Sequence, residues 1–166
     1  MLSALKDSGL RWLWLSLIVV IVDQASKLWV LDNMALYETI SVLPFFNLYH
    51  AHNYGAAFSF LHDAEGWQRW FFVIIAVAIS ALLLVWMRKS PASERLLPAA
   101  YALVIGGALG NLYDRLMYGY VVDMIQVFYQ DWYYPTFNIA DSAICIGGAL
   151  LIFDAFRTKP QEVTHG

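Results

Sequence analysis

Charged side chains are scarce in this sequence, and their scarcity excludes several classes of protein. Only 14% of the 166 residues are charged, whereas 60% are hydrophobic. A soluble domain of this length has too small an interior to bury so much apolar surface. The net charge of -3 provides no basic surface, so no nucleic-acid partner is expected. The composition therefore indicates an integral membrane protein.

Linkers and cysteine pairs are missing as well. No stretch rich in proline, glycine or serine divides the chain, so a single domain spanning residues 1–166 is expected. The one cysteine, Cys145, cannot form an internal disulfide. It lies in an apolar stretch with no histidine nearby, which predicts a small apolar filler and not a nucleophile.

Four segments are long and apolar enough to cross a bilayer as helices, which takes roughly 20 residues. The predicted spans are residues 12–30, 70–87, 96–117 and 137–156. The first resembles a secretory signal sequence, but its apolar run is long for one and no convincing small-residue cleavage site follows. We therefore expect a membrane protein with four permanent transmembrane helices.

Basic residues predict the orientation of these spans, because Lys and Arg near the ends of spans stay in the cytoplasm. They precede span one, separate spans two and three, and follow span four: Lys6, Arg11, Arg88, Lys89, Arg95, Arg157 and Lys159. The connection between spans three and four contains neither Lys nor Arg from Tyr118 to Pro135. Both termini are therefore predicted to be cytoplasmic, and the other two connections external.

Both external connections are long enough or apolar enough to carry structure. Thr39–Leu43 and Asn47–Asn53 are rich in β-branched and aromatic residues, which predicts a small extracytoplasmic β-sheet between spans one and two. Residues 121–128 are too apolar for a solvated loop and too few to cross the bilayer. We expect this segment to lie in the membrane interface, with Trp132, Tyr133 and Tyr134 as anchors.

Polar residues within or beside the spans converge on the outer leaflet. They are Asp23, Lys27, Asn111, Asp114, Arg115, Asp123, Asn138 and Asp141. Ionisable groups at membrane depth are costly and suggest function by default. Two carboxylates close together cannot both ionise, so such a pair shares a proton and can activate water against a peptide bond without a metal.

Structural explanations exist for several of these residues. Asp23 and Lys27 have the i, i+4 spacing of a helical ion pair. Asp114 and Arg115 stand where they could cap span three, and Asp141 stands where the helix dipole favours an acid.

Catalytic chemistries other than an aspartate pair have weaker support in the sequence. A serine–lysine hydrolase needs the two side chains to face each other, but Ser26 is adjacent to Lys27 on one helix.

Three further alternatives remain open at this stage. His50 and His52 share one face of a strand, but two imidazoles are a thin basis for a metal site. A small polytopic transporter or channel would also carry charges in its spans, although a conduction path needs polar groups in both leaflets. A purely structural assembly subunit would tolerate exchange of the aspartates.

Five strings in the chain resemble, in order, the signature blocks of lipoprotein signal peptidase, also called signal peptidase II. They are DQASK at residues 23–27, NYGAAFSF at 53–60, GGALGNLYDR at 106–115, VVD at 121–123 and FNIADS at 137–142. The blocks extend over almost the whole chain, and no charged or amide position departs from the family pattern.

This resemblance implies an aspartic endopeptidase that removes signal peptides from diacylglyceryl-modified prolipoproteins, cutting before the lipidated cysteine. It implies a multi-pass protein of the bacterial inner membrane, an active site near the periplasmic face, contact with membrane lipid, no cofactor and inhibition by cyclic peptides such as globomycin. It makes Asp123 and Asp141 the catalytic dyad, with substrate-binding or supporting roles for Asp23, Lys27, Asn53, Gly55, Asn111, Asp114, Arg115, Asn138 and Ala140.

Overall fold

The computed structural model describes residues 7–55 and 66–157. This part of the chain contains four long helices and four strands. The helices are α1 (Leu13–Asn33), α2 (Trp67–Lys89), α3 (Leu96–Met117) and α4 (Ile139–Phe156), and the strands are β1 (Thr39–Leu43), β2 (Phe46–Asn53), β3 (Val121–Tyr129) and β4 (Trp132–Tyr133). Lys6, Lys159 and residues 56–60 of the second signature block lie outside the described residues.

Each of the four helices is long and apolar enough to cross a membrane. Helices suit this environment because they satisfy every backbone polar group internally, where lipid offers no hydrogen-bond partner. The four predicted spans are therefore confirmed, and the chain is a multi-pass membrane protein. A 3₁₀ turn at Gly9–Trp12 precedes α1 and extends the first span at its beginning.

Helix α3 lies at the centre of the bundle and packs against the other three helices. Small residues allow this close approach. A side chain at Gly107 would collide with the backbone carbonyl of Ala140 on α4, and one at Gly106 would lie 2.8 Å from Val19 on α1. Close backbone contact of this kind drives helix association in membranes, where apolar burial gives little advantage.

The strands form one antiparallel sheet in the order β1-β2-β3-β4. The predicted strands Thr39–Leu43 and Asn47–Asn53 are confirmed, the second one residue longer. Residues 121–128, assigned only to the membrane interface from the sequence, form most of β3 and pair with β2. The first four residues of β3 are all buried, so no alternation of polar and apolar residues could reveal the strand.

Candidate active site

Asp123 lies in the buried first half of β3, with 3% of its surface exposed. Its carboxylate accepts two hydrogen bonds from side-chain amides. Asn53, at the end of β2, donates to Oδ2 at 3.0 Å, and Asn138 donates to Oδ1 at 2.7 Å. The pairing of β2 with β3 places Ala51 opposite Asp123, which brings Asn53 within reach.

Asp141 occupies the first turn of α4 and takes part in the cap of that helix. The Asn138 side chain accepts from the backbone N–H of Asp141 at 2.9 Å, and the Asp141 carboxylate accepts from the backbone N–H of Asn138 at 3.3 Å. This reciprocal capping box satisfies two helix-terminal donors. Asn111 of α3 donates to the other carboxylate oxygen of Asp141 at 2.7 Å.

Asn138 connects the two aspartates. Its side chain is fully buried, and it contacts Asp123 through Nδ2 and Asp141 through Oδ1 and the backbone amide. Nδ2 also lies 3.2 Å from Oδ1 of Asn111. A short network of amides therefore fixes both carboxylates against each other, and a buried polar network is rigid when its members are satisfied.

The electrostatic environment of Asp123 favours its protonated form. Burial, and after it the negative charge of Asp141, raise its pKa from 3.8 to about 7, against smaller opposing effects of the hydrogen bonds from Asn53 and Asn138. Desolvation and a neighbouring like charge are the two conditions that make a carboxylate pair hold one proton. The two aspartates thus interact electrostatically as well as through Asn138.

A buried cluster of charges lies next to this pair. The ammonium group of Lys27 is 2.8 Å from a carboxylate oxygen of Asp23, 2.8 Å from one of Asp114 and 3.0 Å from the amide oxygen of Asn111. All three donors of the ammonium are thereby used. Lys27 is 1% exposed, and both aspartates are fully buried. The predicted i, i+4 pair of Asp23 and Lys27 is confirmed, and Asp114 is its third member.

The two carboxylates of this cluster hold the backbone beside the candidate dyad. Asp23 accepts from the backbone N–H of Ala140 at 2.9 Å, and Asp114 accepts from the backbone N–H of Val122 at 3.1 Å. Ala140 directly precedes Asp141, and Val122 directly precedes Asp123. Each candidate catalytic residue is therefore adjacent to an anchored peptide group.

Arg115 and Gly55 both lie beside the ring of Phe72 on α2. The Arg115 guanidinium donates to the backbone carbonyl of Asn111 at 3.3 Å and lies 4.9 Å from the ring centre of Phe72. Gly55 has a φ of 104°, a conformation that favours glycine, and a Cβ there would lie 2.6 Å from the Phe72 ring. Gly55 therefore lets the end of β2 approach α2.

A cavity of about 290 Å³ opens between α2, α3 and α4, with polar groups at one end and apolar walls below them. The polar end is formed by Asn111, Arg115 and Asp141, and the walls include Ile75, Ile79 and Val104. A second cavity of about 360 Å³ lies on the other side of Asp141. Asp141 is therefore accessible from two apolar grooves, unlike the buried Asp123.

All the site residues predicted from the sequence converge on this region, but one participant was not predicted. The side-chain amide of Gln24 lies within 3.1 Å of Asp23 and 2.9 Å of Asp114. Its polarity at membrane depth was the available signal. Cys145 is exposed on the surface of α4, so the expectation of a packed filler was wrong. Its position is accommodated because the surrounding lipid is as apolar as a protein core.

The alternative sites considered from the sequence are not assembled. Ser26 donates to the backbone carbonyl of Asp23 at 2.7 Å, while the ammonium of Lys27 is fully engaged by the charge cluster. The rings of His50 and His52 are 5.1 Å apart. Residues 7–55 and 66–157 contain no group of three or more His, Cys, Asp or Glu side chains placed to hold a metal ion.

Comparison with known proteins gives consistent matches along the chain. The family model for signal peptidase (SPase) II matches residues 15–157. A lipoprotein signal peptidase of Yersinia enterocolitica is 60% identical over 158 residues, covering 95% of this chain and 93% of the relative. Another from Alteromonas mediterranea is 55% identical over 162 residues, covering 98% and 89%.

Two solved structures of bacterial membrane enzymes have the same fold. One aligns with a TM-score of 0.78 at 33% identity, covering 92% of this chain and 94% of that one, and the other with a TM-score of 0.79 at 32% identity, covering 90% and 94%. Fold and matches together define a membrane-embedded peptidase. The chain belongs to the signal peptidase II family. The transporter or channel considered from the sequence has no support from these matches.

Proposed function

We propose that this chain is an aspartic endopeptidase of the bacterial inner membrane that removes signal peptides from diacylglyceryl-modified prolipoproteins. Cleavage falls just before the lipidated cysteine, and Asp123 and Asp141 form the catalytic dyad. The family match and the relatives named lipoprotein signal peptidase support the substrate. The observation that carries the dyad is Asn138, whose hydrogen bonds reach both carboxylates.

The two aspartates divide the chemistry according to their surroundings. Asp141 stands at the N-terminus of α4, where the helix dipole stabilises an anion, and receives a hydrogen bond of 2.7 Å from Asn111. Asp123 is buried on a strand, and burial with the charge of Asp141 raises its pKa to about 7. Asp123 therefore carries the shared proton, and Asp141 is the base.

The reaction then proceeds with water as the nucleophile. Asp141 removes a proton from water while the water oxygen attacks the scissile carbonyl carbon. At the same time Asp123 donates its proton to the carbonyl oxygen. When the tetrahedral intermediate collapses, the C–N bond breaks, Asp141 gives its proton to the leaving amine, and Asp123 takes back a proton from a hydroxyl group of the intermediate, which becomes the product carboxylic acid. The two carboxyl groups together carry one negative charge before, during and after the reaction, which suits a poorly solvated site.

The cavity beside Arg115 fits a substrate with both polar and apolar parts. Asn111 and Arg115 at its head offer donors for peptide or ester carbonyls, while the walls below accept apolar groups from the signal peptide or the lipid. A cyclic peptide such as globomycin would bind at this same polar end of the cavity and block the site as an uncleavable substrate would. Both termini face the cytoplasm in this proposal, and the dyad lies near the periplasmic surface.

The test uses Asp123→Asn, Asp141→Asn and the double variant, assayed with a purified lipid-modified precursor. Residues that act as a unit are strongly non-additive when removed. Each single variant should lose most cleavage, and the double variant should be little worse. Asp32→Asn provides a matched control, because Asp32 is exposed at the outer end of α1.

Folding must be measured in the same samples, because loss of an ion pair would mimic loss of catalysis. Membrane-inserted protein level and binding of a cyclic peptide inhibitor should persist in the asparagine variants. Well-folded variants that still bind and still cleave at more than about a tenth of the normal rate would refute the dyad. Cys145→Ala and chelators should leave cleavage intact, and a loss greater than about tenfold from either would also count against it.

A further inference from the structure

We propose that Gln24 is a positioning residue of the peptidase. It cross-links the carboxylates of Asp23 and Asp114, and through them it sets the distance between the two catalytic aspartates. The inference rests on the proposed function, since it concerns the geometry of that dyad. Gln24 does not touch the dyad itself.

The side-chain nitrogen of Gln24 lies at the centre of three acceptors. It is 2.9 Å from Oδ1 of Asp114, 3.1 Å from Oδ2 of Asp23 and 3.1 Å from the backbone carbonyl of Gly110. An amide nitrogen carries two hydrogens, so it can serve both carboxylates at once. Gln24 thereby joins α1 to α3 beside Lys27, which contacts the same two carboxylates.

The charge balance of the cluster explains why a second link is needed. Two carboxylates share one ammonium group, and they repel each other in surroundings that exclude water. A neutral donor placed between them reduces that repulsion without adding charge. Removing the donor leaves the Lys27 ammonium as the sole side-chain link between Asp23 and Asp114 among the described residues.

Movement of these carboxylates reaches the dyad through two backbone amides. Asp23 holds the N–H of Ala140 at 2.9 Å, and Asp114 holds the N–H of Val122 at 3.1 Å. A change in the separation of the two carboxylates therefore changes the separation of the residues that follow these amides. Misplacement by about 1 Å can cost on the order of a hundredfold in rate, even when the cause lies outside the reacting groups.

The experiment compares purified Gln24→Leu and Gln24→Glu with the purified wild-type protein. The substrate is a lipid-modified precursor. Gln126→Leu is the matched control, because Gln126 is also a half-buried glutamine but lies in β3 and contacts Asn47. Initial rates give kcat and KM at several pH values. Thermal unfolding and binding of a cyclic peptide inhibitor report on folding in the same preparations.

Gln24→Leu should lower kcat by about tenfold or more and change KM by less than about threefold, with inhibitor binding retained. Gln24→Glu should have a distinctive pH profile. Its neutral form can donate one hydrogen bond to a carboxylate, whereas its ionised form adds a third negative charge to the cluster. Its kcat should therefore fall more steeply than that of wild type as the pH rises, while Gln24→Leu should stay low at every pH.

Two results would overturn the inference. One is a stable Gln24→Leu protein with kcat within about twofold of wild type. The other is a loss of rate that only parallels loss of folded protein, with the pH profile of Gln24→Glu unchanged. The proposed function is tested separately by the dyad variants. If Asp123→Asn and Asp141→Asn abolish cleavage while Gln24→Leu cleaves normally, the positioning role fails and the dyad stands.

Discussion

The ammonium group of Lys27 lies 2.8 Å from the carboxylate of Asp114, with both side chains almost completely buried. This contact ties the first span to the third at the depth of the candidate dyad. Burying charges is costly, and the cost is recovered only when each charge has its partners. The cluster of Asp23, Lys27 and Asp114 is therefore stable as a complete set.

Lys27→Met should destabilise the protein strongly. The methionine has a similar length but no charge, so two carboxylates would remain buried without a cation. Removing one partner of a buried ion pair costs about 3–5 kcal/mol. Thermal unfolding in detergent should show a much lower midpoint, with cleavage lost in parallel. Lys89→Met, at the exposed C-terminal end of α2, is the control and should unfold normally. Normal stability of Lys27→Met would contradict this account of the cluster.

Gly110→Ala should disturb the same cluster from the opposite side. A Cβ at Gly110 would lie 2.5 Å from Oδ2 of Asp23, which is far inside contact distance. Asp23 would have to move, and its hydrogen bond to the Ala140 amide would be strained. Overpacking of this kind costs about 1–3 kcal/mol, and cleavage should fall with it.

Gly148→Ala is the control for this prediction, because nothing lies within 4 Å of a Cβ at Gly148. Both glycines are in helices, so the two substitutions change helix propensity by the same amount. Unfolding midpoints and cleavage rates of the two variants should differ clearly. Equal behaviour would mean that close approach at Gly110 is unimportant.

The pH dependence of cleavage should report the proton on Asp123. Burial and the charge of Asp141 raise its pKa to about 7, so the carboxyl group is protonated below that pH and ionises above it. If Asp123 is the acid, kcat/KM should fall as the pH rises through about 7. The measured value belongs to the coupled pair and not to one residue. A profile that stays flat from pH 6 to pH 8, about one unit to either side of that value, would contradict the assignment.

Stability should change with pH in the same direction. A carboxyl group with a raised pKa in the folded state binds its proton more tightly there than in the unfolded chain. Its contribution to stability is therefore complete below about 4 and is lost as the pH rises through about 7. Asp123→Asn should remove this dependence, so that the difference in unfolding midpoint between wild type and variant varies with pH over that range.

Reporter fusions test the orientation inferred from the basic residues. Fusions after Lys89 and Lys159 should report the cytoplasm, and fusions near Glu65 and Asp131 should report the external side. The expectation follows from the side on which Lys and Arg accumulate in the sequence. A reversed signal at any of the four positions would invalidate the placement of the dyad near the periplasmic face.

The elements that depend on local sequence were predictable. The third span was predicted at residues 96–117 and is observed as Leu96–Met117, and the strand Thr39–Leu43 was also predicted with its observed ends. Apolar runs of about 20 residues and short β-branched segments carry their own signal. Strand β3 carried no such signal, because its first residues are buried against α1. Val122 and Met124 pack with Val30 and Met34.

The convergence of the polar residues was predictable, but their partners were not. Depth along each span placed Asp23, Lys27 and Asp114 in one leaflet, and the ion pair of Asp23 with Lys27 follows from helical spacing. The contacts of Asp23 with the Ala140 amide and of Asp114 with the Val122 amide involve backbone groups far apart in sequence. No residue type marks such contacts, so they emerge only from the packed structure.

The capping box at the start of α4 has a consequence for biosynthesis. Asp141 is oriented by Asn138, which also holds Asp123, and by Asn111 on α3. In a nascent chain whose last span has not entered the membrane, Asp141 is therefore not yet held beside Asp123. If the two aspartates are the catalytic pair, such an intermediate would have no peptidase activity, and insertion of the final helix would complete the active site.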